Sequence, residues 1–185
     1  MAELGREDIE VRWHPYQLYP QIPPDGVDRK EFMRARFGDN EGKDGKGGGA
    51  FKRIEHIGEK AGIKFDFKAR ERIPNTLNSH RLLEYGAEQG VQHEMVEVMM
   101  SAGFEQGRDL GDINVLAEIA VEVGLDADAT LAMLKSPAYR EEVHEGLQWC
   151  LNAGITGVPF FRLEDGEVIQ GAQPMEIFRM LLAEN

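Results

Sequence analysis

The stretch Gly154-Ile-Thr-Gly-Val-Pro-Phe-Phe161 decides the interpretation of this sequence. It leads into a short apolar run, Val158 to Leu163, which a Glu-Asp-Gly turn separates from a second strand pattern over Glu167 to Gln170. Two short runs joined in this way predict a β-hairpin. Pro174 then opens a helical pattern with apolar residues on one side. The tail is therefore predicted to be a hairpin followed by a helix.

Upstream of the tail, one strand pattern precedes a long helical region. Residues Ile9 to Leu18 alternate apolar and polar side chains up to Pro15, which predicts a strand over Ile9 to Trp13. The apolar spacing then predicts helices over about 28–37, 51–61, 78–89, 92–103, 112–123, 126–134 and 136–153, with caps at Asp28, Asn78, Asp112, Asp126 or Asp128, and Ser136. A strand, a helical middle, a hairpin and a helix form an α/β pattern with a helical insertion.

Residues 41–49 are rich in glycine, with five glycines in nine positions. Such a segment buries no apolar area and is predicted to be a flexible surface loop. A phosphate-binding loop would need a preceding strand and a Gly-Lys-Ser/Thr ending, whereas here Gly49 is followed by Ala50. The glycines therefore indicate a loop and not a nucleotide site.

Composition excludes several classes of protein. The chain has 185 residues, of which 42% are hydrophobic, so it can bury a core. Its formal charge of −12 argues against nucleic acid and anionic membranes as partners. A single cysteine permits no intramolecular disulfide and no Cys-based zinc site. No secretory signal and no apolar run of roughly 18 residues is present, so we expect a cytoplasmic protein.

The tail resembles the second half of a thioredoxin-fold domain of the DsbA-like class. The resemblance is greatest to the FrnE-type dithiol–disulfide isomerase and oxidoreductase group. The stretches that carry it follow the family's order over nearly the whole chain; they are Trp13-His-Pro-Tyr-Gln-Leu18, Pro74-Asn-Thr-Leu-Asn-Ser-His-Arg-Leu-Leu83, Phe104-Glu-Gln-Gly-Arg-Asp-Leu-Gly-Asp112, the 154–161 stretch and Gly171-Ala-Gln-Pro174. The resemblance implies a thioredoxin-like α/β fold. Residues 1–24 and 155–185 would form the thioredoxin-like part, and residues 25–154 a large helical insertion domain.

The resemblance also implies a binding site. In the family, the proline at position 159 is cis and faces the redox centre, and the residue before it offers its backbone to a bound polypeptide or thiol. The implied substrate-binding residues are Thr156, Gly157, Val158 and Pro159, and the implied active-site neighbours are Trp13, His14, Asn75 and His80. Taken alone, Pro159 also fits a packing role at the start of a strand. Likewise, His80 fits ordinary surface placement.

The sequence departs from the family in its redox residues. The family's chemistry lies in a Cys-x-x-Cys pair at the start of its first helix, where the first thiolate attacks a disulfide and the second cysteine resolves it. This chain has no such pair, so we expect no catalytic residue in it. Residues 1–7 resemble the end of the family's first helix. A strand–helix unit of about 30 residues is therefore expected to be missing.

The loss of that strand would leave backbone groups facing a gap, at a cost of about 1–3 kcal/mol for each buried unpaired group. Three outcomes remain open. The strands predicted at Ile9–Trp13 and Phe160–Leu163 could close up, a partner chain could supply the strand, or the sequence could come from a truncated gene model. We favour truncation.

Neither the cysteine nor the histidines indicate a redox or metal site. Cys150 follows Val143 and Leu147 on one side of its helix, which predicts a buried thiol. The rival interpretation is an exposed one-cysteine redox centre. The histidines lack metal-ligand spacing, so we expect no metal and no cofactor; they are His14, His56, His80, His93 and His144. Helical spacing places Met95, Met99 and Met100 in packing positions, with a peptide groove as the alternative.

Three functions remain under consideration. The first is a FrnE-type thiol–disulfide oxidoreductase or isomerase domain whose dithiol is absent from this chain. The second is a redox-inactive module that binds polypeptide or glutathione at the Pro159 groove. The third is a relative of glutathione-dependent isomerases or kappa-class glutathione transferases, although Gly171-Ala-Gln-Pro174 favours the FrnE-type group. The expected partner is a polypeptide or a small thiol or disulfide, with glutathione as a candidate substrate; a homodimer is left open.

Overall fold

The computed structural model describes residues 9–38 and 48–183. Its elements, in chain order, are β1 (Val27–Asp28), α1 (Arg29–Phe37), α2 (Gly48–Lys60), β2 (Arg72–Ile73), α3 (Leu77–Glu88), α4 (Gln92–Phe104), α5 (Ile113–Glu122), α6 (Ala127–Lys135), α7 (Arg140–Asn152), β3 (Phe160–Arg162), β4 (Val168–Gln170) and α8 (Met175–Ala183). The strands form two antiparallel pairs, β1 with β2 and β3 with β4. The sequence pattern did not predict the β1–β2 pair, because two residues are too few to show a period.

The core lies between helices α3, α4, α5 and α6. It consists of buried apolar side chains, namely Leu82, Met95, Met99, Ala102, Leu116, Ile119, Ala120 and Leu134. Burying a leucine, isoleucine or methionine contributes about 1.5–3 kcal/mol, so these helices hold the fold together. Met95 and Met99 therefore pack as predicted, whereas the packing prediction is wrong for Met100, which is 52% exposed. Helix α7 lies against α3 and directs Val143 and Cys150 inward.

Three predicted helix caps are confirmed. The Oδ1 atoms of Asp28, Asp112 and Asp126 accept backbone N–H bonds of 2.9, 2.8 and 2.7 Å from the first turns of α1, α5 and α6. Each bond satisfies one of the amides that a helix start leaves without an internal partner. The hairpin and the final helix also form where the tail pattern placed them.

The predicted cap at Asn78 is wrong. Helix α3 begins one residue earlier, at Leu77, and it is Asn75 whose Oδ1 accepts the N–H of Leu77 at 2.9 Å. The Oδ1 of Asn78 instead accepts a 2.9 Å bond from Arg81 Nη1. Asn78 therefore serves as a hydrogen-bond acceptor for the buried Arg81 and not as a helix cap.

The predicted start of α7 at Ser136 is also wrong, because this helix begins at Arg140. The Oγ of Ser136 caps only a local turn, in which it accepts the N–H of Ala138 at 3.1 Å. Arg81 binds the carbonyls of Ser136 and Ala138 at 2.6 and 2.8 Å. Tyr139 then adopts a left-handed conformation, with φ at 59°, which separates this turn from the helix.

The predicted strand over Ile9–Trp13 does not form. Residues 9–17 contain no strand, and among the described residues no backbone pairing joins them to β3, which pairs with β4. An alternating pattern becomes a strand only when a neighbouring strand supplies hydrogen bonds. The proposal that the two strands close up is therefore wrong for this structure.

The predicted glycine-rich loop lies largely outside the described residues. Positions 41–47 are not described, while Gly48 and Gly49 form the start of α2 and are not loop. The division into a thioredoxin-like part (1–24 and 155–185) and a helical domain (25–154) stays a prediction.

Candidate functional site

Side chains from the helices, and not a neighbouring strand, hold the segment of residues 13–22. Gln92, at the first position of α4, is buried and makes two hydrogen bonds with the backbone of Trp13. Its Oε1 accepts the Trp13 N–H at 3.0 Å, and its Nε2 donates to the Trp13 carbonyl at 3.1 Å. Gln92 therefore gives Trp13 the pair of bonds that a neighbouring strand would provide.

Pro15 is pressed against helix α7. A Cβ atom added to Gly146 would lie 2.5 Å from Pro15 Cγ, so only glycine permits this approach. One turn further on, Cys150 Sγ donates to the Pro15 carbonyl at 3.5 Å and its side chain is 5% exposed. Burial raises the pKa of Cys150, whereas a reactive thiol needs a lowered pKa and access. The predicted buried thiol is confirmed, and the structure contradicts an exposed one-cysteine redox centre.

His80, on α3, lies beneath the same segment. Its Nε2 is 3.1 Å from the Tyr16 carbonyl, and since a carbonyl oxygen only accepts, Nε2 carries the proton. Nδ1 is then an acceptor, buried and without a hydrogen-bond partner among the described residues. Burial lowers the pKa of His80 to about 4, against the opposing effect of the Tyr16 bond. The alternative of ordinary surface placement is wrong for His80.

Asn75 fixes the next part of the segment. Its Nδ2 donates to the Ile22 carbonyl at 2.6 Å, and its Oδ1 accepts from Gln17 Nε2 at 3.3 Å as well as from the N–H of Leu77. A single amide thus joins the loop to the start of α3. Asn75 and His80 therefore contact residues 16–22, which gives both a positioning role.

The loop of Thr156, Gly157, Val158 and Pro159 joins α7 to β3. It is anchored at both ends, because Ile155 N–H donates to Cys150 O at 3.0 Å and Gly171 N–H donates to Pro159 O at 2.8 Å. Between these anchors, the backbone groups of residues 156–158 make no hydrogen bond to other described residues. The Val158 side chain is 55% exposed, and the Val158–Pro159 peptide is cis. The loop thus presents backbone donors and acceptors that no other described residue binds.

His14 approaches the hairpin through Trp149. Its ring centroid is 6.1 Å from that of Trp149 on α7, and Arg162 Cζ of β3 is 5.8 Å from the same Trp149 ring. The ring of Trp13 instead stacks on His93 of α4, at 6.0 Å, and its Nε1 donates to His93 Nδ1 at 3.3 Å. The predicted neighbours therefore divide between two faces of the segment.

The sequence pattern did not single out Gln92, Trp149 or Arg162. Gln92 and Trp149 appear in it as ordinary helix residues, and Arg162 as a polar position on a strand. For Arg162, the alternation of side chains along β3 could have indicated its position, because it places Arg162 and Phe160 on the face opposite Phe161. Phe161 packs edge-on against Phe178 of α8, with centroids 5.0 Å apart, and Arg162 accordingly faces Trp149.

The described parts of the chain contain no group of three His, Cys, Asp or Glu side chains arranged to hold a metal ion. Within the same parts, no helix combines the length and apolar character needed to cross a membrane.

Comparison with known proteins identifies what this arrangement resembles. A family model described as "DSBA-like thioredoxin domain" matches residues 2–183. The uncharacterized protein YwbO of Bacillus subtilis (strain 168) is 26% identical over 183 residues, which cover 96% of this chain and 83% of that protein.

Solved structures agree with the family match. The crystal structure of the probable DsbA oxidoreductase SCO1869 from Streptomyces coelicolor has a TM-score of 0.85 at 27% identity, over 97% of this chain and 76% of that one. A putative protein disulfide isomerase from Nitrosomonas europaea has a TM-score of 0.62 at 17% identity, over 72% and 70% of the chains, which shows a shared fold. The predicted thioredoxin-like α/β fold with a helical insertion is confirmed.

Proposed function

We propose that this chain, which belongs to the family of DsbA-like thioredoxin domains, is the substrate-binding part of a FrnE-type thiol–disulfide oxidoreductase or isomerase. Members of the family act on polypeptide or thiol substrates. For this chain, the proposed substrate is a polypeptide or a small thiol or disulfide that binds at residues 156–159.

The observation that carries the proposal is the open backbone of the loop. A bound polypeptide has backbone N–H and C=O groups that lose water on binding and need partners. Residues 156–158 offer such groups unpaired with other described residues, beside the exposed Val158 side chain. An extended peptide that pairs with this loop would lie alongside β3, in the manner of an added strand.

The redox chemistry itself is proposed to need residues that this sequence does not contain. Dithiol exchange requires one thiolate that attacks a disulfide and a second thiol that resolves the mixed disulfide. The chain has a single thiol, at Cys150, which is buried and has a raised pKa. In an insulin-reduction assay we expect no turnover above background, and the same result for Cys150→Ser. Cysteine-dependent turnover would overturn this part of the proposal.

Substrate binding is tested without turnover. Fluorescence anisotropy of a labelled, extended, reduced peptide reports binding directly. We expect Val158→Asp to weaken binding, because it adds a charge beside the open backbone. Val168→Asp, at the 51% exposed Val168 on β4, is the matched control and should bind as the wild type does. Equal binding by both variants, or no binding by the wild type, would contradict a site at residues 156–159.

A second candidate function is a redox-inactive module that binds polypeptide or glutathione at the same loop. The burial of the one cysteine favours it. The sequence of the transcript upstream of Met1 distinguishes the two candidates, because an in-frame Cys-x-x-Cys supports the oxidoreductase and an in-frame stop supports the inactive module. Calorimetry with glutathione tests whether the small thiol binds.

A further inference from the structure

A guanidinium group and an imidazole lie against one exposed tryptophan on α7, the helix that precedes the 156–159 loop. We call His14, Trp149 and Arg162 the Trp149 cluster. The rings of His14 and Trp149 are 6.1 Å apart, and Arg162 Cζ lies 5.8 Å from the Trp149 centroid. Burial lowers the pKa of His14, and the charges of Arg12 and Arg162 lower it further.

The arginines in and near the cluster form no salt bridge within the described part of the chain. The chain has 33 acidic and 21 basic side chains, yet neither Arg12 nor Arg162 forms an ion pair with another described residue. Burial raises the pKa of Glu84 and the charge of Arg12 opposes this, so Arg12 has a carboxyl group within electrostatic reach, whereas no such effect involves Arg162 and a carboxyl group among the described groups whose pKa is shifted. By contrast, Arg108 meets two carboxylates, at 2.6 and 3.0 Å.

The position of the cluster links it to the loop. Pro159 precedes β3 directly, and Arg162 is the third residue of that strand. At about 3.3 Å per residue, Arg162 lies about 10 Å along the strand from Pro159. An extended peptide covers that distance with about three residues. A peptide held by the loop could therefore place a side chain or a terminus at Arg162.

We propose that the Trp149 cluster binds a carboxylate of a peptide held at residues 156–159, so that the preferred substrate is an acidic thiol or disulfide peptide. A guanidinium group binds a carboxylate through two parallel hydrogen bonds, and the indole face of Trp149 keeps Arg162 in place. The inference rests on the proposed function, because the loop must hold the peptide. The carboxylate belongs either to glutathione or to an acidic residue of a polypeptide.

Peptide pairs that differ in one charge test this inference. Two labelled extended peptides have serine in place of the central cysteine. Three residues away, one peptide carries glutamate and the other carries glutamine. Anisotropy is measured for the wild type, Arg162→Gln and the control Arg53→Gln, which alters an exposed arginine on α2. The glutamate peptide should bind the wild type about tenfold more tightly, since a charged hydrogen-bonded pair is worth about that factor. Arg162→Gln should remove the difference, and Arg53→Gln should keep it.

The outcomes separate the two proposals. If both peptides bind the wild type equally, the carboxylate site is overturned while binding at the loop stands. If neither peptide binds, both proposals fail. If Arg53→Gln and Arg162→Gln lose the preference for glutamate equally, the carboxylate site is also overturned, since the net charge of the protein then accounts for the preference. Where the preference holds, competition by glutathione disulfide assigns the carboxylate to the small peptide, and failure to compete assigns it to a polypeptide. Unchanged circular dichroism melting verifies that each variant folds.

Discussion

Arg81 is the side chain whose loss should damage this fold most. It is fully buried, at 0% exposure, and donates five hydrogen bonds. Four acceptors are carbonyls at the end of α6 and in the following turn, and the fifth is Asn78 Oδ1. The end of a helix has unpaired carbonyls and a partial negative charge, which a guanidinium group satisfies. Burial lowers the pKa of Arg81, and the charge of Arg140 adds to this.

The magnitude follows from these bonds. Arg81→Met has a similar length but donates nothing, so it leaves three carbonyls, those of Leu134, Ser136 and Ala138, without their partner at about 1–3 kcal/mol each. The Met133 carbonyl keeps its bonds from the N–H and hydroxyl of Ser136. The substitution also removes the cost of burying a charged guanidinium group, which offsets part of that loss. We expect the free energy of unfolding to fall by about 3–5 kcal/mol, as when one partner of a buried charged group is removed. That is a large fraction of the 5–15 kcal/mol, roughly, that stabilises an ordinary domain.

Urea unfolding followed by far-ultraviolet circular dichroism measures this loss. Arg81→Lys should be intermediate, because it keeps the charge but loses the planar set of donors. Arg53→Met, at an exposed position on α2, is the matched control and should change stability by less than about 0.5 kcal/mol. A loss below about 1 kcal/mol for Arg81→Met would refute the reasoning, since the carbonyls would then have other partners.

Three further predictions concern residues that hold the 13–22 segment. The folded pKa of His80 is about 4, against 6.5 in the unfolded chain, so the unfolded state binds more protons between these values and stability falls as pH drops from 6.5 towards 4. The free energy of unfolding, measured by urea denaturation, should fall by about 2–3 kcal/mol over this pH range in the wild type but not in His80→Gln. If His80→Gln keeps the pH dependence of the wild type, His80 is not its cause. Cys150 should react with a maleimide on the order of 100 times more slowly in native than in urea-unfolded protein, and rapid native labelling would show an accessible thiol. Gly146→Ala should destabilise by about 1–3 kcal/mol through its clash with Pro15, whereas Gly157→Ala, with open space at its Cβ, should not.

Local chemistry predicted much of this structure. The caps at Asp28, Asp112 and Asp126 depend on bonds that reach two or three residues along the chain, so the sequence alone locates them. The β3–β4 hairpin follows from a turn and alternating strands a few residues apart. The inward direction of Cys150 follows from helical periodicity.

Tertiary contacts decided the rest. The alternation at residues 9–13 predicted a strand, but the backbone of Trp13 found its partner in the side chain of Gln92, 79 residues away. Helix α7 begins at Arg140 and not at the predicted Ser136, because Arg81 binds the carbonyls of the preceding turn. The sequence by itself determined where helices and the hairpin form and which side of each is apolar, because those properties depend on near neighbours. Only the tertiary structure decided which distant group lies opposite each face, since periodicity contains no information about contacts between remote segments.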